Sequence, residues 1–343
     1  MKYRVLVDSD QFAYACGGAT QKTRYDVGAI DLEGFPLEEA LLDSMEEVRA
    51  WKAQFITGVE FTISKIVEAE PVSHALQMVN VSLRSIEEEM ARAGIEYDRL
   101  ELFLTGKGNF RERIATIKGY KANRDRNERP VHYQAIRDFL TSRYGAVTVE
   151  GYEADDALSM AAHADPSVVI VSGDKDLKNV PGRNYNARTK TWTTITKQAA
   201  LVHFYRQLVT GDTVDNIGGV FRAGPAAAVT AIKDSMTEYE MYARCLELYK
   251  SSLDKHGCPY VELGAEAALL ENARLLHLLR HPGDVWNPPS NSTSLDSSDS
   301  PETAVSAPAA GRSRPRRRKA QAVCRHANRN MNGGCDACGE PSL

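Results

Sequence analysis

Short apolar runs rich in β-branched residues recur along the first half of the chain, and each gives way to polar or glycine residues. Continuous runs of this kind are typical of parallel strands, because such strands are covered on both faces of the sheet. The clearest examples are Val5–Val7, Val147–Val149 and Val168–Val171. The pattern predicts an α/β fold with a parallel central sheet.

Longer segments between these runs show the spacing of amphipathic helices. Leu37–Phe55 and His74–Ala93 are predicted to be scaffold helices, and another helix is predicted to begin at Asp155 with Ala, Leu and Met on its buried side. Glu60–Ile66 is predicted to be one strand of an inserted hairpin.

Acidic residues follow these runs, or a glycine turn, in four clusters. Carboxylates repel at close range, so a gathering of them indicates a cation such as Mg²⁺ or Mn²⁺. Ligands of open α/β sheets bind at the carboxyl ends of the strands, where clusters distant in sequence can meet. For any single cluster, a helix cap or a turn is the alternative. The clusters are Asp8 with Asp10, Glu153 with Asp155 and Asp156, Asp174 with Asp176, and Asp212 with Asp215.

The spacing within two clusters sharpens this expectation. Glu153 and Asp156 are three residues apart, which predicts that they share one face of the first helical turn. Asp174 and Asp176 alternate around Lys175, which predicts an extended segment with both carboxylates on one side.

The segment from Lys107 to Arg129 is rich in Lys and Arg, with Phe110 and Tyr120 interleaved. Cations neutralise phosphates and aromatic rings stack on unpaired bases, so this mixture is typical of a nucleic-acid contact. A charged, solvated surface loop is the alternative interpretation.

A glycine-rich turn follows the last acidic cluster. Gly218, Gly219 and Gly224 precede an Ala-rich run, residues 226–232, which is predicted to be helical. Such a turn presents free backbone N–H groups to a duplex phosphate without reading the base sequence. An ordinary helix-loop-helix is the alternative.

These motifs together resemble the bacteriophage and bacterial 5′-to-3′ exonucleases of the flap-endonuclease family. The motifs that match in order and spacing are Asp8, Gly151–Asp156, Ser172–Leu177 and Gly211–Ile217. The resemblance covers about residues 1 to 285 and implies a PIN-like nuclease domain followed by a helix-three-turn-helix DNA-binding element. The implied domains are residues 1–207, with an arch at about 105–130, and residues 208–286.

Carried over position by position, the resemblance implies two ions of Mg²⁺ or Mn²⁺ and a catalytic arch. One ion would be held by Asp8, Glu153, Asp155 and Asp156, and the other, directly or through water, by Asp174, Asp176, Asp212 and Asp215. The implied catalytic residues are Lys121 and Arg124, which would face the scissile phosphate, with Asp155 and Asp174. DNA contacts are implied for Lys107, Arg111, Tyr120, Lys121, Arg124, Gly218, Gly219 and Gly224, with K⁺ at the glycine turn.

Two positions depart from the family pattern. Thr105 and Gly106 follow a strand that ends in a metal-binding Asp in many members, so neighbouring carboxylates and water would have to complete the first site. Arg222 stands in the glycine turn where a small or hydrophobic residue is expected.

Composition agrees with an enzyme that has one catalytic domain and a smaller lobe. The chain has 343 residues, 43% of them hydrophobic, and a net charge of −4. It has no apolar run of the ~20 residues that cross a membrane and no secretion signal, so a cytoplasmic monomer is expected, in the host cytoplasm if the chain is phage-encoded. Cys16, Cys245 and Cys258 are scattered and predicted to be reduced.

The C-terminal segment is predicted to be a flexible extension. Residues 287–323 form a linker poor in apolar side chains, and its part Arg312–Lys319 carries six cations that would raise affinity for nucleic acid. In residues 324–343, Cys324, His326, Cys335 and Cys338 could supply the four ligands of a zinc knuckle. An unstructured tail with incidental thiols is the alternative.

The sequence therefore predicts a metal-dependent 5′-to-3′ exonuclease or flap endonuclease acting on DNA with 5′ ends, flaps or nicks in phage or bacterial DNA replication, repair or recombination. A PIN-type ribonuclease would share the carboxylates without needing the glycine turn. A DNA-binding module with impaired catalysis is the non-enzymatic alternative, suggested only by Thr105 and Gly106.

Overall fold

A computed structural model describes residues 2–124 and 129–291, which pack as one compact unit. The basic run Arg312–Lys319 and the predicted zinc ligands lie outside the described residues, as does most of the predicted linker.

The described residues form two sheets and ten α-helices. The strands are β1 Tyr3–Asp8, β2 Gln21–Asp31, β3 Pro36–Leu42, β4 Val59–Ala69, β5 Tyr97–Thr105, β6 Val147–Val149, β7 Val168–Val171, β8 Gly182–Asn186 and β9 Thr191–Ile195. The helices are α1 Asp10–Ala19, α2 Met45–Lys52, α3 Val72–Arg92, α4 Arg111–Ile114, α5 Tyr133–Tyr144, α6 Ala154–Ala164, α7 Lys197–Thr210, α8 Pro225–Ala231, α9 Glu238–Ser252 and α10 Ala265–Leu276.

The larger sheet has the strand order β6-β5-β1-β7-β8-β9. All neighbouring strands in it run parallel except β8 and β9, which are antiparallel. The α/β fold with a mostly parallel sheet is therefore confirmed, and the three predicted apolar runs lie in its strands β1, β6 and β7. Val7 of β1 lies opposite Leu102 on one side and Val171 on the other, so these strands end at a common edge.

Helices cover both faces of this sheet. Val5 and Val7 pack into a cluster with residues of α1, α3 and α5, whereas Leu6 packs on the opposite face with Leu158 of α6. Successive residues of a strand point to opposite faces. The uninterrupted apolar run of β1 thus reflects burial on both sides. The helix predicted at His74–Ala93 is confirmed as α3.

A second sheet, with the order β3-β2-β4, is inserted between α1 and α3 and is antiparallel. Helix α2 covers one of its faces through Val48 and Trp51, which pack against Val27 and Ala29. The strand predicted at Glu60–Ile66 is confirmed within β4. It belongs to a sheet of three strands, since β2 pairs with both β3 and β4.

The prediction of a helix at Leu37–Phe55 is wrong for the first half of this segment, which forms β3. Leu, Glu and Ala favour helices intrinsically. The Asp31 carboxylate, however, accepts hydrogen bonds from two backbone N–H groups of the following turn, both at 2.9 Å. Gly34 in that turn has φ 89°, so the chain reverses there and pairs with β2. Ser44 then caps α2, accepting from the Glu47 N–H at 3.1 Å.

The remaining helices form a second core. Residues of α7, α9 and α10, among them Leu208, Tyr249 and Leu269, share one buried cluster. Residues 211–224 connect α7 to α8, and α8 confirms the predicted helix except at its last residue. The domain division at residue 207 stays a prediction, and position 207 lies inside α7.

Among residues 2–124 and 129–291, no helix combines the length and apolar character needed to span a membrane. Within the same residues the cysteines Cys16, Cys245 and Cys258 are buried and form no disulfide.

Candidate metal centre and nucleic-acid interface

The end of β1 places Asp8 at the carboxyl edge of the sheet. This side chain is almost fully buried, and Ser172 Oγ donates a hydrogen bond to its Oδ2 at 2.9 Å. The Asp10 backbone N–H lies 3.3 Å from the other carboxylate oxygen. No Lys, Arg or His of the described residues forms an ion pair with Asp8. Its charge is therefore met by neutral donors alone.

The first turn of α6 carries two adjacent carboxylates with opposite surroundings. Asp156 is fully buried, and its oxygens accept from Arg111 Nη1 at 2.6 Å and Nη2 at 2.9 Å. They also accept from the backbone N–H groups of Glu153 at 3.0 Å and Leu279 at 3.1 Å. Asp155 is half-buried and accepts no hydrogen bond from the described residues.

The expectation that Asp156 is a metal ligand therefore needs correction. Its four hydrogen bonds use the lone pairs that a metal ion would need, and two of them come from a buried guanidinium. Asp156 does share the first turn of α6 with Glu153, as predicted. The consequence differs, because the Asp156 carboxylate caps the Glu153 N–H and pairs with Arg111.

Glu153 and Asp215 meet the same residues of the arch. Lys121 Nζ donates to Glu153 Oε1 and lies 3.6 Å from Asp215 Oδ2. The Tyr120 hydroxyl lies 2.9 Å from Glu153 Oε2 and 2.9 Å from Asp215 Oδ2. Arg124 Nη2 pairs with the other Asp215 oxygen at 2.5 Å. These two carboxylates thus hold Lys121 and Arg124 at the edge of the sheet.

The loop after β7 carries Asp174 and Asp176, but it is not extended as predicted. The Asp176 N–H donates to Asp174 Oδ1 at 2.8 Å, and a 3₁₀ turn begins at Asp176 and ends at Asn179. A side chain that bonds the backbone two residues on bends the chain in this way. Asp174 remains exposed, whereas Asp176 is half-buried and accepts from Gln207 Nε2 at 2.6 Å.

Asp212, which follows α7, is buried and paired. Lys175 Nζ lies 2.7 Å from its Oδ2, and the Val214 N–H donates to its Oδ1 at 2.9 Å. Burial acts to raise the pKa of Asp212, but the hydrogen bond and charge of Lys175, with the backbone donors, lower it overall.

The acids around this edge therefore fall into two groups. Asp10, Glu153, Asp156, Asp212 and Asp215 each form an ion pair with Lys or Arg. Asp8, Asp155, Asp174 and Asp176 form none with the described residues. We call the second group the unpaired carboxylates.

The unpaired carboxylates lie close enough to repel one another. Burial raises the pKa of Asp8 to about 7, and the charges of Asp10 and Asp174 act in the same direction. Burial likewise raises the pKa of Asp155 well above its ordinary value, with further contributions from Asp8 and Asp174. The pKa of Asp176 is raised to about 7 by burial and then by Asp174 and Asp212.

Within the described residues, no three His, Cys, Asp or Glu side chains converge closely enough to hold a metal ion as they stand. Joint coordination by the unpaired carboxylates would therefore require their side chains to rearrange. Oxygen donors of this type suit hard cations such as Mg²⁺ and Mn²⁺.

Thr105 and Gly106, the departure noted at the end of β5, serve the fold. Thr105 Oγ1 accepts from the Ala154 N–H at 3.0 Å and so caps the start of α6. A Cβ at Gly106 would lie 2.4 Å from the carbonyl oxygen of Val149, so no side chain fits there. The strand end thus orients α6 without contributing a carboxylate.

Comparison with known proteins bears on this architecture. Residues 41–206 match the family described as 5′-3′ exonuclease, N-terminal resolvase-like domain. This stretch is thus similar to the N-terminal domain of that family. No curated protein matches the chain.

Solved structures from bacteriophage T5 are similar to this chain. One, the T5 protein co-crystallised with metal ions, has 18% identity and a TM-score of 0.42, covering 60% of this chain and 82% of that one. Another, T5 5′-exonuclease with bound divalent zinc ions, has 18% identity and a TM-score of 0.42, covering 58% and 80%. A T5 flap endonuclease complex with DNA and metal ions has 16% identity and a TM-score of 0.40, covering 60% and 80%.

Two residues that were expected to contact DNA are instead buried. Arg111 is 1% exposed, and besides Asp156 it bonds the carbonyl oxygens of Leu275 at 2.9 Å and His277 at 2.7 Å. Tyr120 is 8% exposed and packs in the helical core, so its ring is not available for stacking on a base. The sequence pattern did not distinguish these residues from the exposed basic residues of the arch.

Other residues expected to contact DNA remain accessible. Lys107 is exposed, and Arg124 keeps 43% of its side chain exposed beside Asp215. Gly218 and Gly224 are exposed in the turn before α8. Gly219 has φ 59°, and a Cβ there would lie 2.3 Å from the Gly211 nitrogen, so close backbone packing requires glycine.

Arg222 occupies the glycine turn with strained backbone geometry. Its φ is 59°, a left-handed conformation that is unfavourable for a residue with a Cβ. Its guanidinium lies over the Phe221 ring, 4.9 Å from the centroid, and the side chain is exposed.

Sequence reasoning missed three residues that organise the edge. Ser172 bonds Asp8, Arg137 pairs with Asp10, and Gln207 donates to Asp176 and Asp212. Gln207 gave no clear signal, because it follows the charged Arg206 in the sequence. The pairing of Arg137 with Asp10 joins distant segments and had no local signal.

Proposed function

We propose that this protein is a divalent-metal-dependent 5′-to-3′ exonuclease and flap endonuclease that hydrolyses DNA phosphodiester bonds. The observation that carries the proposal is the group of unpaired carboxylates at the carboxyl edge of a parallel sheet in an exonuclease-family domain. A cation of the Mg²⁺ or Mn²⁺ type would offset the repulsion that burial and mutual proximity create among them.

The proposed ligands are Asp8, Asp155, Asp174 and Asp176. The carboxylates of Asp212, Glu153 and Asp215 already have cationic partners, so their part in holding two ions would run through water or through partner exchange. When bound, such ions make a coordinated water nucleophilic at neutral pH and stabilise the leaving oxygen of the phosphodiester.

Lys121 and Arg124 are proposed to act on the substrate phosphate. Glu153 and Asp215 hold both cations next to the metal site, with Tyr120 packed between the two carboxylates. In this arrangement the cations are placed before the substrate arrives. Preplaced charge can stabilise negative charge that develops on the phosphate without costly reorganisation.

The glycine turn and the exposed arch residues are proposed to hold DNA with 5′ ends, flaps or nicks. Lys107 is exposed, and Lys118 Nζ lies 3.9 Å from the position of a Cβ on Gly218, so basic side chains flank the turn. We further propose a K⁺ ion at this turn and a Zn²⁺ ion in the C-terminal segment. The protein is also proposed to be monomeric and cytoplasmic.

Cleavage assays test this function directly. We expect 5′-labelled flap and nicked DNA to be cut in Mg²⁺, with cleavage lost in EDTA and restored by Mn²⁺. Asp155→Asn should remove cleavage, and Asp98→Asn, which removes a surface carboxylate, should not. Cutting that persists in EDTA would contradict the metal proposal, and cutting confined to RNA would favour the ribonuclease alternative.

A further inference from the structure

Three neutral side chains form a hydrogen-bonded chain that ends on two carboxylates of the candidate metal centre. His203 Nδ1 lies 2.7 Å from Asn179 Oδ1, and Asn179 Nδ2 donates to Gln207 Oε1 at 3.0 Å. Gln207 Nε2 then donates to Asp176 Oδ1 at 2.6 Å and to Asp212 Oδ2 at 3.3 Å. The residues come from α7, the 3₁₀ turn and the segment after α7.

The direction of these bonds is fixed by chemistry. The pKa of Asp212 is lowered, so this carboxylate can only accept, and the NH₂ group of Gln207 must face Asp212 and the adjacent Asp176. Gln207 Oε1 is then left to accept from the NH₂ group of Asn179. The Asn179 oxygen in turn accepts from His203, which must carry its proton on Nδ1. Burial lowers the pKa of His203 to about 4, which agrees with a neutral ring.

The position of Gln207 makes its amide hard to replace by water. The residue is 8% exposed and lies next to Leu208 and Val209, which are both fully buried. Its two amide hydrogens bond the carboxylates of Asp176, which precedes α7 in the chain, and of Asp212, which follows it. Without them, Asp212 would keep Lys175, but Asp176 would have no side-chain donor among the described residues.

We propose that Gln207 is a positioning residue for the metal centre, oriented by Asn179 and His203. It fixes the distance between Asp176 and Asp212 and directs the second oxygen of Asp176 toward the ion. The inference rests on the proposed metal-dependent function. Groups that orient metal ligands in this way typically contribute about 10- to 100-fold to metal affinity or activity.

The decisive experiment is a Mn²⁺ titration of the full chain without DNA, followed by electron paramagnetic resonance, on wild type and Gln207→Met. Methionine has a similar size but no donor. We expect the apparent Mn²⁺ dissociation constant to rise about 10-fold or more, the Mg²⁺ concentration for half-maximal cleavage to rise in parallel, and metal-free DNA affinity to stay within about twofold. The matched control is Trp51→Phe, which removes a buried donor to Glu38 in the inserted sheet.

A second variant keeps the test decisive if Gln207→Met does not fold. Asn179→Ala, at a half-buried position, removes the donor that orients the Gln207 amide. For Asn179→Ala we expect a smaller rise in the apparent Mn²⁺ dissociation constant and in the Mg²⁺ concentration for half-maximal cleavage. For Trp51→Phe we expect no rise in either quantity. If the wild type cleaves DNA and either folded variant binds Mn²⁺ as tightly as the wild type does, the positioning role is overturned. A wild type that binds no Mn²⁺ and cleaves nothing would instead overturn the proposed function itself.

Discussion

Asp155 and Asp156 are adjacent residues with different physical roles, and substitution separates them. Asp155→Asn removes a carboxylate that has no partner, so we expect cleavage to be lost while the free energy of unfolding is unchanged or rises. Asp156→Asn breaks a buried ion pair with Arg111, so we expect a loss of about 3–5 kcal/mol in stability. Denaturant unfolding and metal-free DNA binding check both outcomes. An unfolding penalty for Asp155→Asn equal to that of Asp156→Asn would argue against the distinction.

Arg222 combines a strained backbone with an exposed charge, and two substitutions separate these properties. Arg222→Gly removes the left-handed strain, so we expect stability to rise by about 1 kcal/mol. Arg222→Ala keeps the strain. Both variants should bind DNA more weakly, with the slope of log affinity against log salt reduced by about one if the cation meets a phosphate. Unchanged salt dependence in both would remove Arg222 from the DNA surface.

The arch shows how one element can affect chemistry and binding differently. Lys121 lies against Glu153 and Asp215, whereas Lys107 is exposed and forms no ion pair with either of them. We expect Lys121→Ala to slow single-turnover cleavage at saturating enzyme more than it weakens binding, because its charge is needed in the transition state. Lys107→Ala should do the reverse. If wild type and Lys121→Ala had equal single-turnover rates, Lys121 would contribute to DNA binding only.

The buried carboxylate at the end of β1 should make metal-free stability depend on pH. The pKa of Asp8 is raised to about 7 in the folded chain, so the folded form holds a proton that an unfolded Asp loses near its ordinary value of 3.8. This contribution to stability is full below that value and is lost as pH rises toward 7. His203, with its pKa lowered to about 4, acts in the opposite direction.

Comparison with Asp8→Asn isolates the carboxylate effect. In EDTA, the stability of wild type relative to Asp8→Asn should fall between pH 5 and pH 7, by at most about 1.4 kcal/mol per pH unit for one proton. Mg²⁺ should stabilise wild type more at pH 8 than at pH 5.5, because protons compete for the same oxygens. Thermal melts at these pH values check both trends, and a relative stability that rises with pH would contradict them.

At the scale of the whole molecule, the described unit ends at Asn291, and the basic run lies beyond it. Truncation after Asn291 keeps the Trp286 and Asn287 oxygens that bond Arg274. We expect a near wild-type turnover rate on a saturating flap substrate and a weaker apparent affinity. The loss of affinity should shrink at high salt, since the removed cations act through counterion release.

The full chain should also contain about one Zn²⁺, which we expect to be lost on replacing Cys335 and Cys338. Unaltered affinity and a zinc-free full chain would mark the segment as dispensable.

The sequence by itself determined the framework of this protein. Apolar runs such as Val5–Val7 predict strands because burial on both faces demands continuous apolar side chains, and this requirement is local. The carboxylates that follow these runs also had to meet at one edge, because parallel strands end together. The sheet and helix α6 could therefore be predicted, together with the edge at which the candidate metal ligands lie.

Only the tertiary structure decided which of those carboxylates are free to bind a metal. Asp156 is neutralised by Arg111 and Glu153 by Lys121, and each partner comes from a distant part of the chain. The same limit explains the error at β3, where pairing with β2 outweighed local helix propensity. Sequence patterns record the burial and the local geometry of each residue. They do not record which distant charge will compensate another, because that depends on how separate elements pack.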